Sequence, residues 1–211
     1  MRGFTTTAGL VAGWEGMWGR GLQPGQAFDC KQCEPAFKAL LKTDLAGGGG
    51  RSALVPGCGR GYAVAELVQA GYATTGLEVA PTAVAAATKH LAGVEGTWSI
   101  LEADFFTHNP PTKYDVIYDC TFLCAIPPDA RNAWAETMAE LLAENGTLVT
   151  LIFPVREGDP AGGPPYSMSP ALVRSLLEPK GFSATSLTEV PAEQLARGSF
   201  AKEYLGIWKK V

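Results

Sequence analysis

The sequence has no apolar run long enough to cross a membrane. Its longest such stretches, TLVTLIF for example, fall far short of the ~18 residues a spanning helix needs, and MRGFTTTAGLVAGWEG carries a weak apolar region without a cleavage site. Basic runs are missing as well: no cluster exceeds the Lys209-Lys210 pair, and 17 basic against 21 acidic side chains leave a net charge of −4. That balance argues against a phosphate footprint for nucleic acid. Five cysteines in 211 residues are too few, and odd in number, for the disulfide framework of a small secreted protein. A soluble cytoplasmic protein with reduced thiols is expected, a monomer that meets neither membrane nor nucleic acid. Histidine is scarce, with His90 on an Ala-rich stretch and His108 in a polar loop, so no general base stands out. Cys30-x-x-Cys33 lacks the second close ligand pair that zinc requires, and no metal is expected.

What is present is alternation. After an amphipathic segment at 34–46 and the glycine run Gly47 to Gly50, strand-like SALVP, TTGLEV, TWSILEA, DVIYDC and TLVTLIFP are interleaved with helix-like YAVAELVQAG, PTAVAAATKHLAG and DARNAWAETMAELLAENG. Such alternation is the mark of a doubly wound α/β sheet. Pro81 sits where a first helical residue is expected, Asn145-Gly146 reads as a turn, and Ser169-Pro170 reads as a helix cap. Thr147 to Phe153 lacks in/out alternation, which predicts a parallel strand covered on both faces. FSATSLTEV and KEYLGIWKK are two final strand candidates. The Gly/Pro-rich VREGDPAGGPPYSM is long enough to be a functional loop. The glycine run divides an N-terminal cap, residues 1–46, from a core at 47–211.

The stretch LVPGCGRGYAVAEL carries the chemistry. Gly57, Gly59 and Gly61 follow a strand and open a helix, so backbone can approach a ligand closely. Glu78 closes the next strand 17 residues past Gly61, near the ~20 expected of an acid that accepts from ribose hydroxyls. Asp104, with Phe105 and Phe106 after it, ends the third strand and suits an adenine amino group and ring. A dinucleotide site usually has GxGxxG. The tighter GxGxG, followed here by Tyr62, with acids after strands two and three, fits S-adenosylmethionine better and disfavours a nicotinamide oxidoreductase.

From Trp14 to the C-terminus the chain resembles the thiopurine methyltransferase family, and within it the plant and microbial halide/thiol methyltransferases. The resemblance is carried by WEGMWGRG, LVPGCGRGY, GLEVAPTAV, ADFF, YDVIYDCTFLCAIPPDARNAWAETM, TLIFP, GGPPYSM and LGIWKK. It implies a Rossmann-like class I methyltransferase with a seven-stranded, mostly parallel sheet and a helical N-terminal cap. By position it implies that Trp14 and Trp18, one helical turn apart, close over the cofactor, that Gly57 lies under its methionine part, that Glu78 holds the ribose and that Asp104 and Phe105 hold the adenine. Gly59, Phe28 and Cys120 complete the expected cofactor set. Two departures stand out. PGQAFD replaces the Pro-Trp-Asp usual after the tryptophan pair, so Phe28-Asp29 takes the place of Trp-Asp, and Cys120 stands where a tyrosine usually follows Asp119.

A halide or thiolate acceptor needs no proton removed during methyl transfer, in keeping with the lack of an obvious base. Tyr166, in the lid loop, and Arg131, which matches an arginine the thiopurine enzymes place near their acceptor, are the expected catalytic residues. The expected activity is methyl transfer to a small soft nucleophile, a halide ion, hydrosulfide or other thiol. An aromatic or heterocyclic thiol acceptor is the alternative, and a cofactor-binding module without turnover is the alternative of another class.

Overall fold

A computed structural model describes residues 7–156, 162–198 and 202–211. The helices are α1 (Thr7–Gly19), α2 (Pro35–Leu40), α3 (Tyr62–Gln69), α4 (Pro81–Leu91), α5 (Arg131–Leu141) and α6 (Pro170–Leu177). The strands are β1 (Ser52–Pro56), β2 (Ala73–Glu78), β3 (Trp98–Glu102), β4 (Tyr114–Cys120), β5 (Leu142–Ile152), β6 (Phe182–Glu189) and β7 (Tyr204–Lys210). They form one seven-stranded sheet in the order β3-β2-β1-β4-β5-β7-β6. This is the mostly parallel, doubly wound sheet that the alternating pattern predicts.

The chain divides into two compact units: Lys38–His108 with the chain up to Glu34, and Pro35–Phe37 with Asn109–Val211. In the first, β1, β2 and β3 run parallel, with Leu54 opposite Thr75 and Glu78 opposite Glu102. Gly76 in β2 is closely packed: a Cβ there would lie 2.7 Å from both Cys58 Sγ and Ile100 Cδ1, which would have to shift. α4 starts at Pro81, whose missing N–H costs nothing at a first turn. The glycine run is tied down: the Gly48 N–H donates to the Ala70 carbonyl (2.8 Å) and the Gly50 N–H to the Gly71 carbonyl (2.9 Å).

In the second unit β5 is parallel to β4 and antiparallel to β7, and β7 is antiparallel to β6. Thr147 to Ile152 is buried throughout, as its apolar pattern predicts. Trp134 and Trp208 are completely buried, a gross transfer gain of about 4–6 kcal/mol each. Each indole N–H finds an acceptor, Asp119 Oδ2 at 2.8 Å and Thr150 Oγ1 at 3.0 Å. Ser169 caps α6 by accepting from the Leu172 N–H (3.1 Å), as its sequence position predicts.

Three boundaries differ from the sequence pattern. The helix expected over 34–46 stops at Leu40, where the Thr43 hydroxyl turns back onto the Ala39 and Leu40 carbonyls and onto Asp44. Asn145-Gly146 makes no separate turn before a strand. It lies within β5, where the register with β4 shifts between Tyr114–Leu142 and Val116–Thr147. α5 correspondingly ends at Leu141. Residues 157–161 of the Gly/Pro-rich loop lie outside the described residues.

Candidate active site

In the first unit the site grows from the end of β1. Gly57, Gly59 and Gly61 take φ of 57°, 53° and 78°, left-handed backbone that side-chain-bearing residues adopt only under strain. The Cys58 N–H donates to the Leu77 carbonyl (3.0 Å), which fastens this turn to β2, and Gly61 leads into α3. Glu78, 7% exposed, is the fastening's second half. Its carboxylate accepts the N–H groups of Gly59 (3.1 Å), Val79 (2.9 Å) and Ala80 (3.3 Å). Burial pushes its pKa up and the three amides pull it back. Oε2 receives only the Gly59 amide of these three, and a carboxylate oxygen can accept a second donor, so a ribose hydroxyl suits it.

Asp104 accepts the Phe106 N–H (2.9 Å) and caps the single 3₁₀ turn Phe105–Thr107. It thus does local work that its place after β3 also allowed. Phe105 is buried, with Phe106 edge-on at 5.3 Å. An adenosine therefore fits the donor and acceptor set: left-handed glycines where backbone must approach, and acids past β2 and β3.

The tryptophan pair lies where the i, i+4 spacing predicts, on α1. Trp18 packs on Ala80 and Ala83, and its ring would be 3.6 Å from a Cβ at Gly59, so the indole lies against the glycine turn. Trp14 and Phe28 join it, with Phe28 edge-on to each at 5.7 and 5.8 Å. Glu15, between the tryptophans, accepts from the backbone N–H (3.0 Å) and the hydroxyl of Thr82 in the first turn of α4. The sequence marked Trp14, Trp18, Phe28, Gly57, Gly59, Glu78, Asp104 and Phe105, and one unit holds all eight.

The second unit holds Cys120, Arg131 and Tyr166. Asp119, 2% exposed at the end of β4, accepts the Phe122 and Leu123 N–H groups (3.2 Å each) besides the Trp134 indole. Burial pushes its pKa up to about 6 in spite of these donors. The turn it anchors contains Thr121 at φ 60°, strained for a β-branched residue. The Tyr166 N–H donates to the Cys124 carbonyl (2.7 Å), and the Arg131 guanidinium lies 5.8 Å from the Tyr166 ring centre. Gly163 must be glycine, since a Cβ there would be 2.6 Å from the Tyr166 ring.

Sequence reasoning missed Arg197. Its Nη1 pairs with the fully buried Glu203 at 2.9 Å, its Nη2 is 4.0 Å from Cys120 Sγ, and its guanidinium lies 4.6 Å from the Phe153 ring centre. Burial, then the Asp119 charge, pushes the Cys124 thiol up to about 12, and the Arg197 and Arg131 charges oppose this. Both guanidinium charges thus act on the Cys124 thiol, and each guanidinium lies against one aromatic ring. No local motif flags Arg197, which sits in the loop before the last strand and 77 residues from Cys120. Cys30 and Cys33, like the other three cysteines, are not in disulfides, and among the described residues no group of three potential ligands could hold a metal. No helix among the described residues is long and apolar enough to cross a membrane.

The family model described as thiopurine S-methyltransferase (TPMT) matches residues 11–203. A probable thiol methyltransferase 2 of Arabidopsis thaliana is 39% identical over 201 residues, covering 94% of this chain and 84% of the relative. A thiocyanate methyltransferase 1 of Brassica oleracea is 36% identical over 201 residues, with 94% and 85% covered. Among solved structures, the 1,6-didemethyltoxoflavin-N1-methyltransferase of Burkholderia thailandensis superposes with a TM-score of 0.77 at 14% identity, covering 100% of this chain and 93% of that one. At that identity the likeness concerns the fold.

Proposed function

Since the chain belongs to the thiopurine S-methyltransferase family and is an S-adenosylmethionine-dependent methyltransferase, we propose that it methylates a small soft nucleophile: a thiol, hydrosulfide or thiocyanate, or a halide ion. The observation that carries the acceptor class is the Arg131 guanidinium against the aromatic face of Tyr166; Arg197, against Phe153, is charge-paired with Glu203. Guanidinium charge attracts an anion, while flanking rings favour one that is weakly hydrated and polarizable. The names of the two plant relatives support the same class.

Bound S-adenosylmethionine supplies a methyl carbon on a cationic sulfur, open to in-line displacement. Glu78 takes the ribose hydroxyls, Asp104 and Phe105 take the adenine, and Gly57 and Gly59 give the methionine part access to backbone. Trp14, Trp18 and Phe28 form an aromatic wall that attracts the sulfonium by ~0.5–2 kcal/mol. Arg131 orients the anion, Tyr166 keeps water from it, and Cys120 leaves the pocket wall smaller and softer than a tyrosine would. Halide and thiocyanate carry no proton, hydrosulfide keeps its own, and a thiol reacts as its thiolate after losing its proton to solvent, so positioning and desolvation are the protein's share.

A heterocyclic thiol is the second reading, favoured by the family match itself. Headspace mass spectrometry of the purified protein with S-adenosylmethionine and iodide, bromide, chloride, thiocyanate, hydrosulfide and thiols decides between them. Volatile methyl products are expected with thiocyanate, hydrosulfide or iodide. Silence there with turnover of an aromatic thiol would select the second reading, and no turnover of any acceptor despite cofactor binding would leave a module without catalysis.

A further inference from the structure

The glycine turn holds a charged residue, Arg60, that the methyl-transfer chemistry leaves unused. It reaches across to the segment after α1. Its Nε is 2.7 Å from Asp29 Oδ2, its Nη2 donates to the Leu22 carbonyl, and its guanidinium lies 5.2 Å from the centre of the Trp18 ring. The ion pair is shielded, with side-chain exposures of 15% for Arg60 and 3% for Asp29. Tyr62, the first residue of α3, adds its hydroxyl to Asp29 Oδ1 at 3.2 Å.

Asp29 in turn shapes its own loop. Oδ1 accepts the N–H groups of Gly25 (3.2 Å) and Lys31 (2.8 Å). Within that loop Ala27 and Lys31 hold φ of 50° and 62°, left-handed conformations that non-glycine residues keep only when surroundings impose them. Phe28, between them, packs edge-on against both tryptophans. One carboxylate therefore fixes the loop that presents Phe28, and one guanidinium from the glycine turn holds the carboxylate and backs the Trp18 indole.

We propose that Arg60, Asp29 and Tyr62 form a latch, as positioning residues, that sets the aromatic wall of Trp14, Trp18 and Phe28 against the glycine turn, so that cofactor affinity depends on an ion pair that need not touch the cofactor. This rests on the turn being the S-adenosylmethionine site. Because the latch joins the turn to the cap, distortion of either end reaches the other. The residue between two left-handed glycines is then constrained by its grip on the cap, and the segment at 20–31 is held by the turn as well as by its own packing.

Four variants test it: Asp29→Asn, Arg60→Gln, Tyr62→Phe and Arg60→Lys. S-adenosylhomocysteine affinity is measured by calorimetry, and ligand-free cap opening by trypsin cleavage after Arg20 and Lys31. Asp29→Asn and Arg60→Gln are expected to weaken affinity at least about tenfold, with kcat at saturating cofactor changed far less, and to speed cleavage in the cap while the rest of the chain stays intact. Arg60→Lys keeps the charge and should recover part of both effects, Tyr62→Phe should give a smaller shift, and the double variant should cost little more than either single one. Folded Asp29→Asn and Arg60→Gln proteins with wild-type affinity and wild-type cleavage would overturn the latch. Should either fail to fold, Tyr62→Phe and Arg60→Lys with unchanged affinity and cleavage would do so. Wild-type protein that binds no S-adenosylhomocysteine would instead count against the cofactor site, and the ligand-free cleavage comparison would still decide the latch.

Discussion

Glu78→Gln separates what the carboxylate does for the fold from what it does for the cofactor. In the wild type all three polar partners of this side chain are backbone donors: Oε1 takes the Val79 and Ala80 N–H groups and Oε2 takes that of Gly59. A glutamine turned with its oxygen toward Val79 and Ala80 keeps two bonds and aims its NH₂ at the Gly59 N–H, donor against donor. The reverse orientation orphans two amides, so the first is preferred and Gly59 bears the loss. A part-buried donor left without an acceptor costs at most what a buried one does, about 1–3 kcal/mol. Burial already raises the carboxyl pKa, so the neutral amide also relieves a desolvation cost that the ionised wild type carries. Net stability should consequently change little, while the turn and the ribose contact lose geometry. The expectation is a fall in S-adenosylhomocysteine affinity of about 5–150-fold, the equivalent of that 1–3 kcal/mol, with a thermal midpoint close to wild type. Titration calorimetry at 25 °C with a parallel melt measures both. Affinity within twofold of wild type would refute this account of Glu78, and a large drop in midpoint with unchanged affinity would show that the carboxylate serves the fold alone.

Asp119→Asn should flatten part of the pH dependence of stability. A folded pKa of about 6 against an ordinary value of 3.8 means that the native state holds the proton more tightly, so the group's stabilisation is fully present below about pH 4 and is lost as pH rises through 6. Relative to the asparagine variant, wild type should therefore lose up to about 3 kcal/mol between pH 4 and pH 7 in denaturant unfolding, and a constant difference would contradict it. Gly76→Ala forces a methyl group to within 2.7 Å of Cys58 Sγ and Ile100 Cδ1, and should cost about 1–3 kcal/mol in the same assay. Cys58→Ala should recover part of that cost; no recovery would place the strain elsewhere.

The elements that local rules dictate were legible in the sequence. Pro81 and Ser169-Pro170 mark helix starts through the backbone groups a first turn leaves open, and the buried run at Thr147 announces its strand by the lack of alternation. The glycine turn was legible for a similar reason: left-handed backbone is a local demand, and Glu78 follows from the length of one βαβ unit. What stayed hidden depends on distance along the chain. Arg60 and Asp29 are 31 residues apart and Arg197 and Cys120 are 77 apart, and no periodicity joins either pair. The early end of α2 was hidden for a subtler reason. The Thr43 hydroxyl donates toward the last carbonyls of a helix whose apolar pattern continues to Leu45 and toward the Asp44 carboxylate, and hydrogen bonding there outweighs pattern.

Asp29, Glu78 and Asp119 show a common use of buried acids. Each accepts at least two backbone N–H groups at a turn, Asp29 from Gly25 and Lys31, Glu78 from Gly59, Val79 and Ala80, Asp119 from Phe122 and Leu123. A pKa of about 6 would in isolation suit Asp119 to proton abstraction. Yet its partners are all donors, and protonation would turn one oxygen into a donor facing the Trp134 indole or the Phe122 and Leu123 amides. Taking up a proton thus means giving up a bond that shapes the turn after β4. Carboxylates committed in this way fix the glycine turn, the Phe28 loop and the Cys120–Leu123 turn. A displacement that takes no proton from its nucleophile, as proposed for this chain, asks for positioning and desolvation rather than a base, and leaves such acids to backbone geometry.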